Sequence, residues 1–123
     1  MANYTKLYAD AQGESHFADV EIDLTLTEYA PPAPPLELSS TTPANHFGFM
    51  KAPAGWSSDW HPTSARNIFC VLTGEWEVTA SDGETRRFST GSVLLVDDTT
   101  GKGHTSRVVG EIDSLALMLQ LGD

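Results

Sequence analysis

Short runs of apolar residues that alternate with polar ones dominate this chain, and the periodicity of helices is nearly absent. Residues 20–26 and 75–80 alternate strictly, which is typical of strands with one buried face. Residues 67–73 and 93–96 are mainly apolar, which indicates more deeply buried strands. The pattern predicts about nine short strands and no stable helix. The other predicted strands cover residues 45–52, 59–62, 85–88, 104–109 and 115–121.

Turn signals separate these runs. Asp82-Gly83 lies between two alternating segments and predicts a tight hairpin, since both residues tolerate positive φ. Residues 1–17 are ambiguous, with one helical turn expected near residues 8–12. Residues 30–35 (APPAPP) are expected to be extended and outside any central sheet, because proline lacks a backbone donor. We interpret this stretch as a rigid surface connector; the alternative, a proline-rich ligand motif, lacks a repeat array and a basic flank.

The chain has the size and composition of one globular domain. Its 123 residues suffice for a hydrophobic core. We expect residues 1–43 to form an N-terminal strand and a proline-rich arm, and residues 44–123 to form the core. Seven basic and 17 acidic residues give a formal net charge of −10, which repels phosphate backbones and anionic lipid. Nucleic-acid and membrane partners are therefore not expected.

The N-terminal residues and the cysteine content indicate the compartment. The first residues lack the apolar core of a signal peptide. Cys70 is the one cysteine, so no intramolecular disulfide forms, and its apolar surroundings in the sequence suggest a buried thiol. Both features predict a cytoplasmic protein.

Two histidines, His61 and His104, carry the strongest chemical signal. Each lies in a strand-like segment punctuated by glycines. Histidines from separate strands can together hold a metal ion or line a pocket for a small ligand.

The spacing around these histidines resembles the two motifs of the cupin superfamily. The first motif, G-x5-H-x-H-x3-E-x6-G, retains its glycines and first histidine, but threonine and asparagine replace the second histidine and the glutamate. The second motif, G-x5-P-x-G-x2-H-x3-N, retains its central G-x2-H, while Thr99 and Val108 replace the proline and the asparagine. The first motif corresponds to Gly55, His61, Thr63, Asn67 and Gly74, and the second to Gly91, Gly101 and His104.

The resemblance covers residues 44–121 and implies an all-β, cupin-like jelly-roll barrel, also called a double-stranded β-helix. Small cupins often pair, so we expect a homodimer, and the proline-rich arm could cross onto a neighbouring copy.

The resemblance also implies a metal centre with a depleted ligand set. Metal-binding cupins supply three histidines and one carboxylate, whereas this chain retains His61 and His104. Asp59, two residues before His61, would lie on the same strand face and could complete a two-histidine, one-carboxylate set. One divalent ion (Zn, Mn, Fe or Ni) is the predicted cofactor. The alternative is that both histidines are hydrogen-bonded pocket residues without a metal.

Five further residues are candidates for substrate binding. Thr63 and Asn67 occupy ligand positions of the motif, and His46 could point into the barrel or be structural. Arg66 could bind a substrate carboxylate at the rim or form a salt bridge. Trp60 could form an aromatic wall with Trp56, or cover the core.

Two acidic residues, Asp97 and Asp98, follow an apolar run in what looks like a polar turn. We expect them to be solvated loop acids and not a carboxylate pair for acid–base chemistry.

Two functional hypotheses follow. The first is an enzyme, a metal-dependent isomerase or lyase acting on a small polar organic molecule, with the metal polarising an oxygen atom. The second is a metal-free barrel that binds a small ligand or has a structural role.

Overall fold

Eleven strands form the regular structure of residues 2–122, which the computed structural model describes, and this part of the chain contains no helix. The strands are β1 (Asn3–Ala9), β2 (Ser15–Glu21), β3 (Thr25–Thr27), β4 (Leu36–Leu38), β5 (Ala44–Ala52), β6 (Asn67–Thr73), β7 (Glu75–Ala80), β8 (Thr85–Phe88), β9 (Val93–Asp97), β10 (His104–Val109) and β11 (Ser114–Leu121).

The strands form two facing layers and one separate hairpin. The larger sheet has six strands in the order β2-β1-β9-β6-β11-β5, and the smaller one has the order β10-β7-β8. Neighbours in the larger sheet are mostly distant in sequence, as the long connections of a jelly roll require. The predicted all-β, jelly-roll class is confirmed. Strands β3 and β4 pair only with each other, and no helix in residues 2–122 could cross a membrane.

Apolar side chains from both sheets form the core. Leu7, Val71 and Leu94 come from the larger sheet, and Val78 and Phe88 from the smaller one. Burial of these side chains is the main favourable contribution to folding.

The Trp76 indole belongs to the same core. Its Nε1 donates a hydrogen bond of 2.6 Å to Oγ of the fully buried Ser114. The buried indole N–H therefore has a partner.

The hairpin at Asp82-Gly83 and the strands at residues 67–73, 75–80, 85–88 and 104–109 are confirmed. The strand predicted at residues 20–26 is wrong in its bounds, because β2 ends at Glu21 and a new strand starts at Thr25. Glu21 pairs with Asn3, the first residue of β1, whereas Thr25–Thr27 pair with β4.

Residues 3–21 form a hairpin, and the helical turn expected near residues 8–12 is wrong. Oδ1 of Asp10 accepts hydrogen bonds from the backbone N–H groups of Gln12 and Glu14, which fixes the connecting turn. Residues 59–62, predicted as a strand, form only an isolated bridge at His61.

The predicted arm, residues 1–43, therefore contributes β1 and β2 to the larger sheet. Residues 22–43, which contain the β3–β4 hairpin, lie outside both sheets, and we call them the hairpin arm. Residues 30–35 connect β3 to β4 and lie outside the central sheets, as expected.

His16 links two hairpins on the protein surface. Its Nε2 lies 2.7 Å from Oδ2 of Asp10, and its Nδ1 lies 2.9 Å from Oδ2 of Asp82. The hydrogen bond to Asp10, followed by the one to Asp82, raises the pKa of His16. The hydrogen bond between His16 and Asp10 also lowers the pKa of Asp10. The β1–β2 hairpin is thereby tied to the β7–β8 hairpin.

Candidate functional site

A cavity of about 320 Å³ lies between the two sheets. Met50, Phe69 and Leu94 are among its lining residues from the larger sheet, and Trp76 and Phe88 come from the smaller one. Most of the lining is apolar. The polar side chains that line it are those of His61, Thr63, Ser64, His104 and Ser106.

His61 and His104 meet at this cavity. The segment that ends at His61 runs antiparallel beside β10, with reciprocal backbone hydrogen bonds of 3.1 Å (His61 N to His104 O) and 3.0 Å (His104 N to His61 O). The ring centroids are 4.8 Å apart and the ring planes make an angle of 52°. The predicted convergence of the two imidazoles is confirmed.

Gly103 permits this close approach. A Cβ atom at residue 103 would lie 2.1 Å from the carbonyl carbon and oxygen of His61, and its φ of +77° disfavours other residues. The G-x2-H sequence thus brings the His61 backbone against the start of β10.

Hydrogen bonds at Nδ1 hold both rings. Nδ1 of His61 lies 2.8 Å from the backbone oxygen of Asp59, and Nδ1 of His104 lies 2.6 Å from Oδ2 of Asp98. A carbonyl oxygen only accepts, so Nδ1 of His61 carries a proton, and the same holds for His104 beside a carboxylate. In its neutral form, each ring therefore has Nε2 as its proton acceptor.

Asp98 is fully buried, so the expectation of a solvated loop acid is wrong for this residue. Its backbone oxygen accepts a hydrogen bond of 3.1 Å from the N–H of Thr63. This bond connects the loop after β9 to the segment that contains His61. Within residues 2–122 its second oxygen, Oδ1, is buried without a partner. An unpaired buried oxygen destabilises the folded chain, whereas the paired oxygen of the same carboxylate orients the ring of His104.

Comparison with known proteins identifies the fold. No protein-family model and no curated protein sequence matches the chain. Among solved structures, the cupin domain of Schizosaccharomyces pombe Cnp3 is 20% identical, covers 99% of this chain and 83% of its own, and has a TM-score of 0.53. This chain has the cupin fold. The fold that the resemblance of the motifs implied is confirmed.

A second similar structure is a predicted oxalate decarboxylase from Thermotoga maritima. It is 26% identical and has a TM-score of 0.51, and the match covers 63% of this chain and 66% of the Thermotoga chain. The match therefore spans slightly less than two thirds of that protein.

The residues of this chain do not fit a firmly held metal ion. No three His, Cys, Asp or Glu side chains in residues 2–122 are grouped so that they could hold one. Asp59 is exposed, its backbone oxygen accepts from Nδ1 of His61, and in residues 2–122 its carboxylate is not grouped with the two histidines. Catalytic zinc sites usually have three protein ligands, and two imidazoles fall short of that number. Metal binding by Asp59, His61 and His104 stays a prediction.

The substrate-binding candidates have different locations in the cupin fold. Thr63 lines the cavity, and its Oγ1 donates to the backbone oxygen of Ala65 at 2.7 Å. Asn67 also bonds to Ala65, through Nδ2 at 3.2 Å, and is not part of the cavity lining. Nε of Arg66 lies 2.7 Å from Oδ1 of Asp97. Arg66 thus forms a salt bridge, which was the alternative to binding a substrate carboxylate.

His46 is exposed near the start of the edge strand β5, and Trp60 is 53% exposed. Neither lines the cavity. The aromatic wall comes from Trp56, whose ring packs edge-on against Trp76 with centroids 5.7 Å apart. The substrate-binding roles of the five candidates stay predictions.

Sequence reasoning missed the importance of Asp98 and of the apolar lining. Gly101 and Gly103, which follow Asp98 closely, were the signal in the sequence for a tightly folded loop at this point. In the structure both glycines have positive φ.

Proposed function

We propose that this cupin binds a small, mainly apolar organic molecule that carries one acidic group, such as a carboxylic acid. The acidic group lies against the Nε2 atoms of His61 and His104, and the rest of the ligand fills the apolar part of the cavity. The observation that carries the proposal is the pair of imidazoles, both held through Nδ1, at the wall of an otherwise apolar cavity.

The size of the cavity supports a small ligand. Its volume of about 320 Å³ is at the lower end of the range for ligand sites, roughly 300–1,000 Å³. Removing the apolar surface of the ligand from water provides most of the affinity, and the few polar groups determine its orientation.

The tautomers of the two histidines support an acidic group. A carboxylic acid is already ionised at neutral pH, so on binding Nε2 takes up a proton from the solvent and the protonated ring pairs with the carboxylate. The negative charge of Asp98 stabilises the positive charge that His104 gains in this step.

The chemistry of the lining disfavours a dicarboxylate. The Thermotoga protein is described as a predicted oxalate decarboxylase. Oxalate has two charges and little apolar surface, so it would leave Phe69, Val71 and Leu94 without contacts and would bury charge against them. A monoacid with an aromatic or aliphatic body is the better match.

The binding test uses titration calorimetry of the full chain with phenylacetate, 3-phenylpropionate, octanoate and 2-naphthoate, and with 2-phenylethanol as the uncharged counterpart of phenylacetate. We expect at least one acid to bind, and phenylacetate to bind more tightly than the alcohol. His104→Ala should weaken acid binding roughly 10-fold or more, the value of a hydrogen bond to a charged group. Thr105→Ala, the next residue on β10 with its side chain on the other face, should leave the affinity unchanged.

Equal affinity for phenylacetate and 2-phenylethanol, or no binding by any acid of the panel, would contradict the proposal. An equal effect of Thr105→Ala and His104→Ala would also do so.

A second candidate function is proton-transfer catalysis, of the isomerase or lyase type. The buried Asp98 carboxylate on Nδ1 of His104 favours it, because this arrangement orients an imidazole as a general base. His104 would remove a proton from a carbon next to a carbonyl group, and an adjacent imidazolium would return a proton to another atom.

Phenylpyruvate tests this function, since it has an apolar ring, an acid and an exchangeable methylene group. In D₂O, the wild-type chain should speed the loss of the methylene proton signals in NMR spectra, and His104→Gln should not. If the wild-type chain leaves the exchange rate equal to that in buffer alone, proton transfer on such keto acids is not a function of this protein. Calorimetry tests ligand binding separately.

A further inference from the structure

Strand β10 turns alternate side chains toward the cavity. His104 and Ser106 both line it, and Val108, two residues further along, belongs to the core. The residues between them face the other way, and Arg107 is exposed and pairs with Glu77 on that outer surface. Ser106 therefore lies on the same face of the strand as His104, between an imidazole and a buried valine.

The wall around the Ser106 side chain is mostly apolar on the side of the smaller sheet. Its cross-strand partner on β7 is Val78, which is 4% exposed, and the same wall includes Trp76 and Phe88. A hydroxyl group in an apolar wall is costly unless it has hydrogen-bond partners. The partners that Ser106 has in the folded chain therefore show how far its hydroxyl group is already used.

Ser58 is the one hydrogen-bonding partner of the Ser106 side chain among residues 2–122. Oγ of Ser58 accepts from the backbone N–H of Ser106 at 3.1 Å, whereas the two hydroxyl oxygens are 3.4 Å apart. Hydrogen bonds between hydroxyl groups are usually about 2.7–2.8 Å long, so this contact is weak. The hydroxyl group of Ser106 therefore has capacity for a stronger partner, and such a partner can lie in the cavity that it lines.

The other two hydroxyl groups of the cavity wall differ from that of Ser106. The proton of Thr63 is used within the chain, since Oγ1 donates to the backbone oxygen of Ala65 at 2.7 Å. Ser64 is exposed, so water competes for its hydroxyl group. Ser106 is half-buried, and its hydroxyl group is the best placed of the three to bind a polar atom inside the cavity.

We propose that Ser106 is a specificity-determining residue, whose hydroxyl group binds a second oxygen atom of the ligand, a hydroxyl or carbonyl oxygen on the apolar body. The acidic group of the same ligand lies against His104, so this inference rests on the proposed function. It narrows the ligand class from apolar monoacids to monoacids whose apolar body carries one oxygen atom. A serine hydroxyl group can donate to either kind of oxygen and can also accept from a ligand hydroxyl group.

The spacing of His104 and Ser106 along β10 determines where that oxygen atom lies in the ligand. Two residues of a strand span about 7 Å, and side chains on one face of a strand are roughly parallel. The carboxylate and the oxygen atom are therefore expected at opposite ends of a body about as long as a benzene ring with one methylene group. 4-Hydroxyphenylacetate has this arrangement, whereas 2-hydroxyphenylacetate has its hydroxyl group next to the carbon chain that bears the carboxylate.

Titration calorimetry of the full chain with phenylacetate, 4-hydroxyphenylacetate and 2-hydroxyphenylacetate tests the role of Ser106. We expect the 4-hydroxy acid to bind roughly 3- to 10-fold more tightly than phenylacetate, the value of one hydrogen bond between neutral groups. The 2-hydroxy acid should show no such gain. Ser106→Ala should abolish the gain of the 4-hydroxy acid and leave the affinity for phenylacetate unchanged.

Thr105→Ala is the matched control. It removes the hydroxyl group of the next residue, whose side chain lies on the other face of β10, so the gain should persist. The thermal unfolding midpoint of each variant monitors folding. The comparison of the three acids on the wild-type chain depends on no variant, so it tests the inference even where Ser106→Ala unfolds the chain.

Three results would overturn this inference while leaving the proposed function in place. They are equal affinities of the wild type for phenylacetate and 4-hydroxyphenylacetate, a gain of the same size with the 2-hydroxy acid, and a gain that Ser106→Ala does not reduce. Binding of none of the three acids would instead contradict the proposed function, and the role of Ser106 with it.

Discussion

The carboxylate of Asp98 lies against the imidazole of His104, with 2.6 Å between Oδ2 and Nδ1, and both side chains are buried. Asp98 is the first residue after β9, and His104 begins β10. The loop between them therefore places a negative charge behind one of the two rings that line the cavity. This pair is the best-defined electrostatic feature of the site.

Asp98→Asn should weaken acid binding without removing the hydrogen bond to His104. The amide oxygen can still accept from Nδ1, but the negative charge that stabilises a protonated ring is lost. We expect the affinity for phenylacetate to fall roughly 5- to 10-fold, the difference between a charged and a neutral hydrogen bond. Calorimetry measures this, with Asp97→Asn as control because Asp97 pairs with Arg66 outside the cavity. Equal losses in both variants would contradict the assigned role of Asp98.

Gly103→Ala should be much more destabilising than Gly83→Ala. Both glycines have positive φ, which costs other residues about 1–2 kcal/mol. A Cβ atom at residue 83 meets no atom within 4 Å, whereas at residue 103 it would lie 2.1 Å from the His61 backbone. Urea denaturation should show a loss of about 1–2 kcal/mol for Gly83→Ala and a larger one for Gly103→Ala. Similar losses for the two variants would mean that the His61 segment moves freely.

His16→Gln should destabilise the protein more at pH 5.5 than at pH 8.5. The pKa of His16 is raised in the folded protein above its ordinary value of 6.5 by Asp10 and Asp82. Its stabilising contribution is therefore complete below pH 6.5 and is lost as the pH rises through the folded-state pKa. Asp10 has a lowered pKa, so its contribution persists above 3.8 and is lost only as the pH falls further.

Thermal unfolding of the wild type and His16→Gln at several pH values checks this prediction. The difference in melting temperature should be largest between pH 3.8 and 6.5 and should shrink above that range. A difference that is constant with pH would show that His16 contributes through packing alone.

The metal content of the purified protein tests whether the incomplete set of metal ligands holds an ion. Two imidazoles without a third strong donor should hold a divalent ion weakly. Elemental analysis of protein purified without chelator should give less than one equivalent of Zn, Mn, Fe or Ni, and EDTA should leave the melting temperature unchanged. One full equivalent that His61→Ala removes would establish the two-histidine metal centre instead.

The strands and the histidine pair could be predicted from the sequence because their signals are local. Alternation at residues 75–80 and the Asp82-Gly83 turn define the β7–β8 hairpin without reference to the rest of the chain. The glycine spacing around His61 and His104 resembles the motifs of a known superfamily. This resemblance predicted that the two rings lie close together, as they do.

The burial of Asp98 and the break after Glu21 could not be predicted because they depend on distant parts of the chain. Asp98 is covered by the segment of residues 61–63, and its local sequence is that of a polar turn. Residues 20–26 alternate like one strand, but Val20 and Glu21 pair with β1 whereas Thr25 and Leu26 pair with β4. The local sequence pattern indicates which secondary structure a segment prefers. Its neighbours in the folded chain decide whether that structure forms.

Strand β5 has Met50 in the cavity wall and Phe49 on the opposite surface. One strand thus contributes both to the wall of the cavity and to the exposed surface of the larger sheet. Because β5 lies at the edge of that sheet, a displacement of its backbone moves both side chains together. A substitution on the exposed side that shifts this strand should therefore also change the shape of the cavity at Met50.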